Sequence, residues 1–398
     1  DVIQEGNGLG IVAFDQDPHD VLIPSVGPLD PVSPFDVDRT SIKSAINSFT
    51  PNLSGMTAIG DGIERAQQRL TPITGYDTKS VIVLTDGKET ASKYISDVSS
   101  SIDDRVFAIG LGKAENIEPA ALNSVVNNND GYMLLTDELD NDSIFKLGKY
   151  FLQILAGVNN EEVVVDPNGQ IFVGQEHKIP FVINEADISS DVILMLPNPQ
   201  AIDFLLESPN GHIINPSDSA STPGLTFSYG NNVSFYRMTM PLPIGTGERE
   251  GKWNAILRIN EKYYSKYRGR LEKSYEASQA SLSGGIPYSL LVHAYSNLRM
   301  KTDLIQSGYE PGDSIKINVL LTQYGIPLMN DASVYAIAKM PNGIEKTLMF
   351  QKVDVGEYQL SLSAEYTGVY QFRVIANGTS LRGRNYTREQ VRTGAIWQ

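Results

Sequence analysis

The chain has 398 residues, 41% of them hydrophobic and 20% charged, with a formal net charge of −15; that length favours two or three folded domains, and the composition is that of an ordered protein. The acidity is concentrated in residues 1–156, which hold 23 acidic against 11 basic side chains, and an acidic surface repels phosphate, so nucleic acid and anionic membrane are poor partners. There is no cysteine, which excludes disulfides, thiolate metal sites and a thiol nucleophile, and no apolar run approaches the roughly 20 residues of a membrane-spanning helix.

From the N-terminus, "DVIQEGNGLG" has neither a Met nor a signal-peptide pattern, so an upstream segment is expected. The runs "GIVAF" (10–14), "SVIVLT" (80–85), "RVFAIGL" (105–111) and "YMLL" (132–135) read as strands buried on both faces, as in a parallel sheet. Amphipathic helices alternate with them. Ile59, Ile63, Ala66 and Leu70 share one stripe, and Ile144, Leu147, Phe151 and Leu155 share another. Strand–helix alternation of this kind predicts an open α/β sheet with helices on both faces. "FDQDPHD" (14–20) reads as a solvated hairpin tip, and the Asp- and Asn-rich 127–143 as caps and turns without calcium-loop spacing.

After Gly157 the helical period gives way to Pro-Asn-Gly turns at 167–169, 209–211 and 341–343 between β-rich runs. "RMKTDLIQSGYEPGDSIKINVLL" (299–321) reads as a polar boundary feeding a fresh strand, after which strands recur at the spacing of an immunoglobulin-like sandwich. The expected domains are therefore 1–156 (α/β), 157–300 (β-rich, with a possible short helix in 267–285) and 301–398 (immunoglobulin- or fibronectin-like). The basic-aromatic "KYYSKYRGR" (262–270) reads as an exposed connection.

Two stretches carry chemistry. In "VIVLTDGKET" (81–90) a buried strand ends in Thr-Asp-Gly, which places Asp86 at the carboxyl end of a parallel strand, where open α/β sheets bind ligands. In "GMTAIGDGI" (55–63) a glycine-bearing loop presents Thr57 ahead of a helix. A hydroxyl and a carboxylate at one rim suit a hard cation such as Mg2+ or Ca2+. Taken singly, Thr57 also reads as a helix cap and Asp86 as a turn residue.

In their order, "GIVAF", "GMTAIGDGIERA", "VIVLTDG", "VFAIGLG" and the final helix, these segments resemble the von Willebrand factor A domain family. The resemblance implies a metal-ion-dependent adhesion site built from a DxSxS loop after the first strand, a Thr from a second loop and an Asp from a third. Thr57 and Asp86 match the second and third contributions by position. The spacing Asp97-x-Ser99-x-Ser101 matches the DxSxS pattern but comes after the Asp86 loop. Tyr94, Ile95, Val98 and Ile102 fall at helical spacing, so 92–104 reads as a helix and its serines as a decoy.

The family's first strand, its DxSxS loop and its first helix are thus absent from this chain. In the family arrangement that strand lies between the "GIVAF" and "VIVLT" strands. Leaving the place empty would strand two rows of backbone groups at roughly 1–3 kcal/mol each, against the roughly 5–15 kcal/mol that holds a domain folded. A strand donor is therefore expected, either an upstream fragment of the same precursor or a neighbouring subunit.

No H-E-x-x-H, G-x-S-x-G or P-loop pattern is present, and the four histidines are scattered. The expectation is a non-enzymatic, secreted or cell-surface adhesion protein that holds a protein partner through a cation. Two alternatives stand beside it. The domain order also resembles the calcium-activated chloride channel regulator family and bacterial relatives, implying the non-catalytic portion of a processed metalloprotease-like precursor. The open strand position suits a structural subunit of a surface filament or layer.

Overall fold

A computed structural model describes residues 3, 7–22, 35–50, 55–102, 105–128, 131–138, 145–245, 247–263 and 285–397. Most of 262–270, all of 267–285 except Gly285, and parts of 127–143 lie outside the described residues.

The first part contains β1 (Ile11–Phe14) and β2 (Pro18–Leu22), then α1 (Phe35–Ser48), α2 (Ile59–Leu70), β3 (Ser80–Thr85), α3 (Ile95–Val98), β4 (Arg105–Gly110), α4 (Ala114–Ile117), α5 (Pro119–Asn128), β5 (Met133–Leu135) and α6 (Lys146–Val158). β3, β4 and β5 form a parallel sheet in that order, and β1–β2 form a separate antiparallel hairpin. The parallel register follows from apolar runs buried on both faces. Val81, Val83, Val106 and Ala108 pack under α2 and α5, and Phe107, Ile109 and Leu134 pack under α6.

β3 breaks this rule. Ile82 and Leu84 are paired in register with Phe107 and Ile109, yet they are 36% and 38% exposed while their partners are buried. α6 covers β4 and β5 and leaves the same face of β3 open. The second edge of β3 also carries no strand among the described residues. α2 nevertheless packs on both sheets, for its Ile59 and Ile63 share one core with Val81, Val83 and Phe14. At Gly62 a Cβ would come 2.6 Å from the Phe14 ring, so a glycine is needed for the hairpin to lie this close. β1 and β3 are therefore held by one helix without pairing with each other.

The second part contains β6 (Glu161–Val165), β7 (Asn168–Ile171), β8 (Glu176–Ile183), β9 (Asp187–Met195), β10 (Ile202–Glu207), β11 (Ile213–Ile214), β12 (Leu225–Tyr229), β13 (Val233–Thr239), β14 (Gly251–Ile259) and β15 (Ile286–Ser296). One sheet runs β12-β13-β9-β15-β6, with β7 also on β15, and the other runs β11-β10-β14-β8. Their facing sides share a core around Trp253, Phe181, Tyr236 and Leu290. On the first sheet's outer face, Ile193, Met195, Phe235 and Leu291 pack on Leu152 and Ala156 of α6. This is why "VILM" in β9 is apolar at consecutive positions rather than alternate ones.

α6 is thus buried from two sides, by Tyr150 and Ile154 against the parallel sheet and by Leu152 and Ala156 against the antiparallel one. The single stripe expected through Leu147, Phe151 and Leu155 is corrected on this point: Phe151 is exposed, and Ile144 lies outside the described residues.

The third part contains β16 (Leu298–Gln306), β17 (Ser314–Gln323), β18 (Ile326–Pro327), β19 (Ala332–Lys339), β20 (Glu345–Met349), β21 (Gln351–Asp354), β22 (Glu357–Ser363), β23 (Gly368–Thr379) and β24 (Asn385–Ile396). Its sheets, β16-β17-β22-β21 with β18 on β17 and β20-β19-β23-β24, share one core. The stretch 299–306, expected to be a polar boundary, is instead most of β16, the hairpin partner of β17; its polar residues lie largely on the side away from the core.

β24 joins all three parts. Its Arg388, Gln390 and Arg392 side chains donate to the carbonyls of Leu298, Met300 and Thr302 on β16, at 3.1, 2.6 and 2.8 Å. Thr393 Oγ1 accepts the Leu135 amide of β5 at 2.8 Å, and the Val391 amide donates to Gln153 of α6 at 3.2 Å.

Candidate functional site

The rim at the carboxyl end of β3 is built by the loops that precede α2 and follow β3. The Thr57 amide donates to Thr90 Oγ1 at 2.8 Å, and the Thr57 carbonyl accepts the amides of Thr90 and Ala91 at 2.9 and 3.2 Å. Thr57 is therefore fixed through its main chain, and its hydroxyl is not spent on capping α2, whose N-terminus shows no side-chain cap. The β1–β2 hairpin meets the same loop through Ala58 N–H to Asp15 O at 2.7 Å.

Asp86 follows Thr85, whose hydroxyl ties the turn by donating to the Gly87 carbonyl at 3.1 Å. A Cβ added to Gly87 would lie 3.8 Å from Thr57 Oγ1, and the hydrogen bonds of the Thr57 main chain to Thr90 and Ala91 hold the two loops in contact. The structure thus brings Thr57 together with the turn that carries Asp86. Asp86 is exposed, and among the described residues no hydrogen bond or ion pair engages its carboxylate. A free hydroxyl and a free carboxylate on adjacent loops fit two of the six to eight oxygens that a hard divalent cation takes. No group of three or more His, Asp or Glu among the described residues converges for a metal.

Residues 97–101 do not contribute. Asp97 accepts the Tyr94 amide at 3.0 Å and caps α3, and Ser101 Oγ donates to the Val98 carbonyl at 2.8 Å. The helix is shorter than expected, with α3 continued by a single 3-10 turn over Ser99–Ser101.

Two supporting residues escaped the sequence reading. Glu89 accepts the amides of Gly60 at 3.1 Å and Ile95 at 2.8 Å, and so joins the starts of α2 and α3. Burial pushes its carboxyl above the usual range, although both amides favour the charged form. A pocket of about 310 Å³ beside Glu89 is lined by Tyr94, Ser96, Glu118, Ala121 and Ser124, and not by Thr57 or Asp86. Asp20 receives Arg65 at 2.5 Å and also Arg69. Hydrogen bonds from Arg69 and Arg65 hold its carboxyl well below the usual range. The tip expected to be solvated is therefore anchored: Asp20 is tied to α2, while Asp15 accepts the Asp17 amide at 2.9 Å and contacts His19 at 3.1 Å.

A family model for the von Willebrand factor type A domain matches residues 9–146. No curated protein matches. Among solved structures the chain is similar to a DUF4785 family protein from Legionella pneumophila (12% identity over 59% of this chain and 65% of that one, TM-score 0.35). It is similar to a von Willebrand factor type A protein from Catenulispora acidiphila (14% identity over 91% and 58%, TM-score 0.32). It is also similar to the Bacillus licheniformis lipase BlEst2 in propeptide form (10% identity over 90% and 89%, TM-score 0.35). The chain spans less than two thirds of the length of the first two. With β3, α2 and the Thr57–Asp86 rim in the expected order, the protein contains a von Willebrand factor type A domain at residues 9–146.

Proposed function

We propose that the protein is a non-enzymatic binding protein, secreted or displayed on a cell surface, whose A domain holds a protein partner through a divalent cation at the Thr57–Asp86 rim. The observation that carries this reading is the contact between the two loops, with the Thr57 main chain fully engaged and its hydroxyl free. Thr57 would supply a neutral oxygen and Asp86 a charged one, directly or through water. The bound cation would supply Lewis-acid attraction for a partner carboxylate. The two β-rich parts, the last read as immunoglobulin-like, would hold the A domain at a fixed distance and orientation. Mn2+ titration of the full chain, followed by electron paramagnetic resonance, tests the reading. Thr57→Ala and Asp86→Ala should each weaken binding at least about tenfold, the loss of one ligand. Affinity unchanged in both variants would overturn it.

A second reading is favoured by the open edge of β3 and the exposure of Ile82 and Leu84. It adds a strand donor, an upstream fragment of the same precursor or a neighbouring subunit, which pairs with β3 on the side of β1. Such a strand would satisfy main-chain groups on β3 and bring cover to its open face. Native mass spectrometry of the assembly purified from its source should show a companion polypeptide or a self-complemented oligomer. A lone chain, with the β3 amides exchanging freely, would count against it.

A further inference from the structure

α6 meets the start of the second part through one lysine. Lys149 Nζ donates to the Asp166 carbonyl at 3.0 Å and to Asn168 Oδ1 at 2.8 Å, and it lies 2.6 Å from Asp166 Oδ1. Asp166 stands in the two-residue link between β6 and β7, and its side chain is 3% exposed, that of Lys149 12%. The two carboxyl oxygens differ. Oδ2 accepts Gln153 Nε2 at 2.9 Å, whereas Oδ1 accepts no hydrogen bond among the described residues, although Nζ is so near. Gln153 is itself fixed, because its Oε1 takes the Val391 amide at 3.2 Å. Glu389 also faces this cluster. Both of its oxygens are held by Arg373, each at 2.9 Å, so it does not draw Nζ away from Asp166.

We propose that Lys149 and Asp166 are the partners of an intramolecular amide bond, formed by the chain itself between Nζ and Cγ with loss of one water. The geometry gives the reason. Two N–H bonds of Nζ are spent on the Asp166 carbonyl and Asn168, so its remaining valence faces the Asp166 carboxyl. A buried oxygen that touches a cation yet accepts no hydrogen bond from it calls for an explanation. An amine held against a carboxyl group, with Cγ one covalent bond beyond Oδ1, supplies one: reactants fixed in this way behave as at very high concentration. The ion pair is the starting state. One proton passes from Nζ to Oδ1 along their contact, which changes no net charge. Nζ then bonds to Cγ while the Gln153 N–H steadies the charge that develops on Oδ2. The Cγ–Oδ1 bond breaks, and Oδ1 leaves as water with that proton and a second one from Nζ. No oxidant or reductant is needed.

Burial drives the step forward, since two charges kept out of water are costly and the amide removes both. Asn168 is exposed, so the released water has a path out. Asn168 also touches Nζ, but it would release ammonia, and it lacks both the burial and the Gln153 donor that Asp166 has. The bond would close a span of 17 positions and tie α6, which packs on two sheets, to the first link of the β-rich part. A chain without cysteine has no disulfide for that task. The staple stands apart from the cation reading, since none of its groups belongs to the Thr57–Asp86 rim.

Mass spectrometry of the intact, denatured full chain tests this, followed by a protease digest. The wild type should be lighter than its sequence by one water, and the digest should hold a branched peptide joining residues 149 and 166 that survives mild base. Lys149→Arg should show the full sequence mass and no branched peptide. Gln153→Ala should lower the rate at which freshly folded chain loses water by at least about tenfold, the loss of one donor to the developing charge. A wild type at its full sequence mass would overturn the staple. So would a water lost without the branched peptide, as ring closure at an Asp-Gly step such as 86–87 would give, or a loss of ammonia, which would place the bond on Asn168. If either variant does not fold, the wild-type mass and its branched peptide decide.

Discussion

Among the described residues, the hydrogen bonds from β24 to β5 run through a single hydroxyl, and Thr393→Val isolates it. Thr393 is buried, accepts the Leu135 amide at 2.8 Å and donates to the Met133 carbonyl at 3.3 Å. Valine keeps the shape and removes both bonds, leaving an edge-strand amide buried without a partner. Losing one side of such a pair costs the desolvation of the group left behind, about 1–3 kcal/mol. Serine restores the hydroxyl at the loss of one methyl group, about 1 kcal/mol or less. A chain of three packed parts is unsuited to one two-state fit, so the assay is site-resolved hydrogen exchange. Protection at Leu135 should fall roughly 5- to 150-fold in Thr393→Val, as that energy implies, and largely return in Thr393→Ser. If Val and wild type protect Leu135 equally, β24 is not what satisfies the edge of β5 and the reasoning fails.

Other outcomes follow from the same geometry. Arg388→Ala should raise the hydrogen-exchange opening of β24 by the equivalent of about 3–5 kcal/mol because it leaves the buried Asp187 without its arginine, whereas the pair Arg388→Met, Asp187→Leu should recover only part of that loss, since the Asn184 amide and the Leu298 carbonyl lose their partners. At Gly131 a Cβ would lie 1.7 Å from the Val106 carbonyl oxygen, so Gly131→Ala should lower the thermal midpoint more than a cavity mutation in the same sheet such as Val83→Ala. Asp20 has a carboxyl depressed below 3.8 by Arg69 and Arg65. Its hold on α2 is therefore present above that pH and lost as pH falls through the depressed value; acid unfolding of Asp20→Asn should show a shallower pH dependence there than wild type.

What the sequence made legible was local or periodic. The apolar runs of β3 and β4 are visible because a parallel strand is apolar on both faces, although only β4 has both faces buried here. Thr57 and Asp86 are visible because each sits in a short local pattern, Gly-Met-Thr ahead of a helix and Thr-Asp-Gly after an apolar run. What stayed hidden depended on distant partners. α6 reads as one-sided because its pattern superposes two faces, Tyr150 and Ile154 on one and Leu152 and Ala156 on the other. The polar residues of 299–306 obscure a strand whose ladder partner is β17 and whose carbonyls are met by side chains of β24. Arg388 and Arg392 resemble surface residues in any linear reading. Only the fold shows that each is enclosed by carbonyls and a carboxylate or ring contributed from up to 260 positions away.

The two edges of the parallel sheet have opposite fates. The β5 edge is closed by side chains of β24, some 250 residues later in the chain, and α6 is buried between this sheet and the next. Unpaired strand edges invite other chains, and proteins ordinarily blunt them with charge, bulges or cover. The β3 edge has none of these among the described residues: its strand is "SVIVLT", with no charged residue, and its open face carries Ile82 and Leu84. Stability arguments alone would favour the reverse arrangement, because β3 is the longer strand and exposes more main chain than the three residues of β5. An edge left open at the strand that also delivers Asp86 to the rim would link strand pairing to the proposed cation binding, since whatever pairs with β3 there would set the position of Thr85 and the turn after it. Raising Mn2+ affinity by adding a strand-donating peptide, with no such gain when Leu84→Pro removes an amide from the open edge of β3, is the outcome this coupling requires.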